Sequence, residues 1–292
     1  MPAESILRSS LVVVGPGRAG RALARSWIAA GGAAPTLAAL DPESASSRTA
    51  SAELGAPVRR IDSLREPCDL LVLAVPDDRI RSTAREVSAR IRCRSAFHLS
   101  GALAAEELSP FRTAGAAVAS LHPLRAFTGD PSETWEGTLV AIEGDDEAVS
   151  VGERLSAALH AIGRRIRAEA KPLYHAAATL AAGGTMALLS VATRAAAAAG
   201  LSETEARRAL ARLASEAAAA TADRPFADAF TGPLSRRDVE TVRAHEAASS
   251  GREDFRELYR LLASEILDAT GGRGSEERIR KILARMGSGG AD

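Results

Sequence analysis

Apolar and polar positions change rhythm partway along this chain. Leu11 to Val14 is a short β-branched run entering a glycine-rich turn, and Arg18 to Ala30 then places Ala, Leu and Trp27 on one helical face. Thr36 to Leu40 is a second strand candidate. Asp69 to Val75 (DLLVLAV) is continuously apolar beyond its first residue, the pattern of a strand buried on both faces of a parallel sheet. Ser95–Leu99 and Val118–Leu121 look like further strands, each after helical sequence. Strand–helix–strand alternation predicts an α/β fold, a doubly wound, mostly parallel Rossmann sheet. The N-terminus is expected to run directly into the first strand, with no signal peptide.

After Asp130 the rhythm weakens. Thr138–Ile142 and Arg164–Arg167 are lesser strand candidates around a helix from about Glu147 to Ala161. From Lys171 onward the pattern is almost wholly helical, with alanine-rich stretches at Tyr174–Ala199 and Glu203–Ala220. Gly200, Pro225 and Gly232-Pro233 punctuate it. The expected division is a dinucleotide-binding domain over 1–168 and an all-α domain over 169–292, ending in a frayed tail at Gly287–Asp292.

Composition narrows the partners. Lys plus Arg and Asp plus Glu both number 37, so the formal net charge is zero. Acidic and basic residues are interleaved, without the basic stripe of a nucleic-acid binder or the basic amphipathic helix of a membrane-surface protein. Aromatics are 3% of the chain, too few for a base-stacking platform. No apolar run is expected to approach a membrane span, because Arg and Glu break the alanine-rich helices. Cys68 and Cys93 form neither a CxxC pair nor a metal cluster, which makes a reducing cytoplasm the simplest home. A small-molecule substrate remains.

Residues 15–20 read Gly15-Pro16-Gly17-Arg18-Ala19-Gly20, a GxGxxG that follows an apolar strand and opens a helix. Gly15 permits the tight turn, Gly17 lets backbone approach a pyrophosphate, and Gly20 lets the helix pack on the strand. The helix N-terminus offers free N–H groups and a partial positive charge to the phosphates. Asp41, ending the second strand, would bind both ribose hydroxyls of NAD; otherwise it starts the Asp-Pro-Glu-Ser turn. Arg48 would instead meet the 2′-phosphate of NADP. Both cofactors stay open. Ala74, Val75 and Pro76 end the next long strand beside the riboses, with Asp77 and Asp78 as candidate helix caps.

Two further strand ends carry chemistry. His98-Leu99-Ser100-Gly101 and His122-Pro123-Leu124 lie on the side of the sheet where a nicotinamide would sit. Ser100 offers a hydroxyl and neighbouring N–H groups, while His98 is open between a packed and a functional role. Lys171 and His175 lie one turn apart on a helix with Pro172 at its start. An ammonium or imidazolium there would protonate the oxygen formed on carbonyl reduction. The segment Thr231–Asp238, with Thr241 and His245, is the most polar part of the helical half. Arg236, Asp238 and His245 either converge on an anionic substrate or simply cap a helix.

The ordered set GPGRAG, LAVPDD, HLSGA, SLHPLRAF, KPLYHAAA and TGPLSRRDVETV resembles one bacterial family along essentially the whole chain. That family joins a Rossmann-like domain to a helical domain first labelled as of unknown function. Its architecture is similar to pyrroline-5-carboxylate reductase, 6-phosphogluconate dehydrogenase and ketopantoate reductase, whose helical domains usually dimerise. The resemblance thus implies a 6-phosphogluconate-dehydrogenase-like C-terminal domain and a homodimer. It also implies ketopantoate as the first substrate to try. Against ketopantoate reductases, a strand-end Asn-Gly falls on Ser100-Gly101, the catalytic lysine on Lys171, and a helical asparagine on His175. An acidic substrate-binding residue falls near Asp238 or Glu240. A second asparagine would fall near Gly183-Gly184, where this chain has no amide. The expectation is a reductase of a small 2-oxo acid or imine, with Lys171 as proton donor, His175 and Ser100 positioning substrate, and His122 lining the nicotinamide pocket. The alternative is a non-catalytic dinucleotide-binding sensor or partner-binding module.

Overall fold

A computed structural model describes residues 3–271 and 275–287. The chain forms two compact units, one ending at Thr179 and the other beginning at Leu180. The sequence places the division at 168/169; in the structure the helix that carries Lys171 and His175 belongs to the first unit.

The first unit is an eight-stranded sheet: β1 (Leu11–Val14), β2 (Thr36–Ala39), β3 (Val58–Arg60), β4 (Cys68–Leu73), β5 (Cys93–His98), β6 (Ala117–Pro123), β7 (Leu139–Gly144) and β8 (Ile162–Arg165). Their spatial order is β3-β2-β1-β4-β5-β6-β7-β8. The first six run parallel, β7 pairs antiparallel with β6, and β8 runs parallel to β7. Helices α1 (Arg18–Ala29), α2 (Ala45–Leu54), α3 (Ile80–Ser88), α4 (Ser109–Thr113) and α5 (Asp146–Ala158) connect them, and α6 (Lys171–Thr179) closes the unit.

Alternation along each strand divides the core in two. Val13, Leu37, Val72, Phe97 and Leu121 face α1 and α5, packing on Leu23, Trp27 and Leu155. Val14, Ala38, Leu71, Leu73, Ala96 and Val118 face the other way, onto Ile80, Val87, Leu108 and Phe111. Cys68 and Cys93 are register partners on β4 and β5 and are free thiols. Burial pushes both up to about 12.

The second unit holds α7 (Thr185–Ala198), α8 (Glu203–Ala220), α9 (Phe226–Ala229), α10 (Val239–Ala248), α11 (Glu253–Thr270) and α12 (Glu276–Gly287). Ser202 and Glu205 form a capping box at the start of α8. The core of this unit lies among α10, α11 and α12, built on Val242, Leu267, Ile279, Leu283 and Met286. Along α7 and α8 only Thr193 and Ala206 are buried.

Several expectations need correction. A 3-10 turn, Ala3–Arg8, precedes β1, so the chain does not enter the strand directly. Strand β3 escaped the sequence reading because it is three residues long, with both arginines exposed. β8 starts two residues before the predicted strand. Residues 168–198 form one helical run of 31 residues containing an 18-residue window of mean hydropathy 1.5, long and apolar enough to cross a membrane by length and composition alone. No Arg, Lys, Asp or Glu stands between Lys171 and Arg194, so the charges expected to interrupt that run are missing from its middle. Core helices of soluble proteins pass the same test, although only 6% of this window is buried. Residues 288–292 of the expected tail lie outside the described residues.

Gly144 ends β7 at φ +147°, and a Cβ there would overlap the Val118 carbonyl oxygen. Gly144→Ala is expected to destabilise the first unit by about 2 kcal/mol. Urea unfolding followed by Trp27 and Trp135 fluorescence tests this, and an unchanged midpoint would contradict the close approach of β6 and β7.

Candidate active site

The site is assembled at the carboxyl ends of the parallel strands, where open α/β sheets hold their ligands. Gly15 follows β1 at φ +92°, and a Cβ on it would lie 2.6 Å from the Ala74 carbonyl oxygen. A Cβ on Gly20 would overlap the Gly15 carbonyl, so α1 packs against the turn as that position predicts. Gly17 is the opposite case. No described atom would come within 4 Å of a Cβ on it, which leaves open space at the N-terminus of α1. Gly17 caps that helix without a side-chain bond, and the first turn carries no acidic residue. Ser46 Oγ donates to the Pro16 carbonyl at 2.9 Å, tying α2 to the loop. These features fit a dinucleotide pyrophosphate: a backbone-lined opening, unspent helix N–H groups, and no carboxylate to repel it.

At the end of β2, Asp41 is engaged locally. Its Oδ1 accepts from the Glu43 amide at 2.9 Å and its carbonyl from Ser47 Oγ at 2.8 Å, the turn-starting role weighed above. Arg48 donates to the Glu43 carbonyl.

The other half of the site is a buried polar row crossing the sheet. His98, Ser120 and Glu143 are successive register partners on β5, β6 and β7. They lie on the face otherwise filled by Ala96, Val118 and the α3–α4 side chains. Ser120 and His98 are fully buried and Glu143 is 8% exposed. Helix α6 lays Lys171 against this row. Its Nζ donates to Ser120 Oγ at 2.8 Å and to the Ser100 carbonyl at 3.2 Å. Lys171 is 1% exposed, and burial lowers it to about 8 against the opposing pull of Glu143 and Asp77.

One turn along α6, the Tyr174 hydroxyl lies 2.9 Å from His122 Nδ1. The match is geometric: one helical turn rises about 5.4 Å, close to the two-residue step from Ser120 to His122. Burial, aided by Lys171 and His175, lowers His122 to about 4, so its imidazole is neutral. His175 packs edge-on to His122 with ring centroids 5.7 Å apart. Its Nδ1 is buried without a hydrogen-bond partner among the described residues. Both rings crowd Gly101, where a Cβ would lie 2.5 Å from His175 Nδ1 and 2.7 Å from His122 Nε2.

The structure therefore brings Lys171, His122, His175 and the Ser100–Gly101 turn together. The Ser100 hydroxyl, expected to face a substrate, is spent within the chain. It donates to Asp77 Oδ2 at 2.8 Å and accepts from the Ala102 and Leu103 amides at 3.2 and 3.0 Å. It closes the turn and presents its carbonyl to Lys171. His98 is a packed histidine, accepting from the Ser100 amide at 3.2 Å and bonded through Nε2 to the Ala104 carbonyl at 3.1 Å. In the second unit, Arg236, Asp238 and His245 do not converge. Asp238 caps α10 through Thr241, and His245 bonds Tyr259 at 2.9 Å. Sequence reasoning missed Ser120, Glu143 and Tyr174; the signal for the first two was a polar residue inside an apolar strand.

Residues 4–123 match the Rossmann-like domain family, and residues 138–266 match DUF2520, a domain of unknown function. The two matches follow one another in this order and together span most of the chain. Among solved structures it is similar to a Bacteroides fragilis protein provisionally named an NADP oxidoreductase (16% identity, 90% of this chain and 99% of that one, TM-score 0.71). It is also similar to Plasmodium falciparum pyrroline carboxylate reductase with NADP bound (14% identity, 96% and 98%, TM-score 0.57). A third is an Aspergillus terreus reductive aminase in complex with NADPH and ethyl levulinate (18% identity, 95% and 99%, TM-score 0.57). At these identities the likeness is one of fold. No curated protein sequence matches the chain.

His98 sits at about 4, lowered first by burial, against an ordinary 6.5. Between those values the unfolded chain takes up a proton that the folded chain refuses, so stability is full above 6.5 and falls as pH drops toward 4. His98→Asn keeps an acceptor for the Ser100 amide but does not titrate, and its melting temperature should fall less steeply over that range. Equal slopes for both proteins would show that His98 does not carry the acid sensitivity.

Proposed function

We propose that this protein is an NAD(P)H-dependent oxidoreductase that reduces a small 2-oxo acid or imine, with ketopantoate the first substrate to test. The observation that carries the reading is a buried lysine and an open glycine loop at the carboxyl ends of the same parallel strands. Gly15–Gly20 and the start of α1 would hold the pyrophosphate, and Ala74, Val75 and Pro76 would flank the riboses. The cofactor is NAD if Asp41 receives the ribose hydroxyls and NADP if Arg48 meets a 2′-phosphate. A bound dihydronicotinamide supplies a hydride to the carbonyl or imine carbon.

The side chains supply the rest. Two of the three Lys171 donors are held by Ser120 and Ser100, which leaves one for the oxygen or nitrogen that gains negative charge. With Lys171 at about 8, the ammonium is charged at neutral pH yet close enough to it to give up a proton. The unpartnered Nδ1 of His175 faces the same turn and would orient the substrate, and neutral His122 would line the pocket without adding charge. Ser100 acts by closing the turn that sets Gly101 beneath the two imidazoles. A cationic site of this kind favours an anionic substrate. The apolar run over residues 168–198, with Leu180 and Met186 74% and 67% exposed, supports a homodimer in which a second copy covers it.

Titration with NADH and with NADPH, followed by nicotinamide fluorescence, should give micromolar binding of one of them; binding of neither removes the reductase reading. Gly17→Val should leave the melting temperature of the free protein unchanged while weakening that binding by about tenfold or more. Lys171→Met should lower kcat by roughly 10²- to 10⁴-fold with nucleotide affinity retained. Full activity in that variant would remove Lys171 from the chemistry. Nucleotide binding without oxidation by any 2-oxo acid or imine would identify a sensor instead.

A further inference from the structure

The chain has 35 arginines and two lysines, Lys171 and Lys281. Where a fixed positive charge suffices, this sequence almost always uses arginine. A guanidinium does not release its proton in a protein, whereas an ammonium does so readily once buried. Lys281 is a surface residue paired with Glu277 at 2.8 Å. Lys171 is 1% exposed.

Titratable groups lie near Lys171 on the neighbouring strands and on α6 itself, where Tyr174, raised by burial, reaches His122. Asp77 follows β4 and is exposed, with one carboxylate oxygen held by Ser100. His98 on β5 and His122 on β6 are neutral, each at about 4. His175 lies one turn along α6. Glu143 on β7 is the buried anion of the group. Its position is set by backbone pairing, because Ser120 and Glu143 are antiparallel register partners. The hydroxyl of Ser120 accepts from Lys171 Nζ at 2.8 Å and reaches Glu143 Oε2 at 3.5 Å. The same oxygen accepts from the Ala105 amide at 2.9 Å, which fixes the carboxylate independently of the lysine.

We infer that Glu143 is the positioning residue for Lys171: acting through Ser120, it anchors the ammonium at the strand ends and keeps it charged at neutral pH. The role rests on the reductase reading, in which Lys171 delivers the proton. An ammonium in a dry site needs a nearby anion to stay charged, and Ser120 transmits that anion while holding the nitrogen in place. Glu143 touches neither substrate nor cofactor in this scheme.

Uniform ¹³C-lysine labelling tests the inference on the intact chain, since only two ε-methylene signals arise and Lys281 is an internal control. In Glu143→Gln the Lys171 titration should move to lower pH by about one unit or more while Lys281 stays unmoved. The alkaline limb of kcat should move down with it, because a proton donor stops working as pH rises through its titration. A merely structural glutamate would lower stability or kcat without moving either midpoint. If Glu143→Gln does not fold, Ser120→Ala is read the same way, with a shift in the same direction. An unmoved Lys171 midpoint in a folded variant overturns the inference, even where Lys171→Met is inactive. Full activity of Lys171→Met instead overturns the reductase role of the lysine and leaves the titration result standing.

Discussion

An ammonium buried at the end of a sheet is the constraint around which the first unit is arranged. Removing such a charge from water costs several kcal/mol unless the surroundings return it through a countercharge and hydrogen bonds. Lys171 has both, but only because three strands place polar side chains in one row on an otherwise apolar face. The row depends on strand direction. β7 runs against β6, and that pairing sets Glu143 opposite Ser120. Had β7 continued the parallel pattern, its register would have followed a different crossover. The last part of the sheet thus positions buried polar side chains as well as covering the core.

The glycine loop and the lysine cluster solve different problems at the same sheet edge. The loop keeps atoms away: Gly15 and Gly20 allow backbone and helix to close up, and Gly17 leaves a space unfilled. The cluster brings atoms together, until two imidazoles press on Gly101 and one nitrogen is left without a partner. Both kinds of tightness come from short residues at strand ends, where the chain turns into a helix and has least freedom to relax.

The fold was legible because its strands are apolar on both faces and its first turn is written in glycines. Strand β3 was not, since a three-residue edge strand with two exposed arginines has no periodicity to read. The candidate site is legible as a placement where motif and position coincide: Gly15–Gly20 lie where the motif puts them, and Lys171 and His175 lie one turn apart on a helix that meets the strand ends. Ser120 and Glu143 stayed hidden because their meaning is a pairing across strands, and register between distant segments is not written in either one. Ser100 was found for a different role than it plays. A serine beside a glycine at a strand end reads as a ligand group, while its hydroxyl is consumed by the two amides that follow and by Asp77. The helical half was read well as helices and poorly as a site, because Asp238 and His245 meet local partners.

Cys68 and Cys93 lie side by side in the sheet, and burial holds both thiols far from ionisation. Disulfide exchange proceeds through the thiolate, so two sulfurs this reluctant to ionise behave as small hydrophobes. They are reagents in waiting only for an unfolded chain. Reagents that act through the thiolate will meet more of it in the unfolded chain than in the folded sheet, so reaction at these sulfurs reports on unfolding before it reports on redox state.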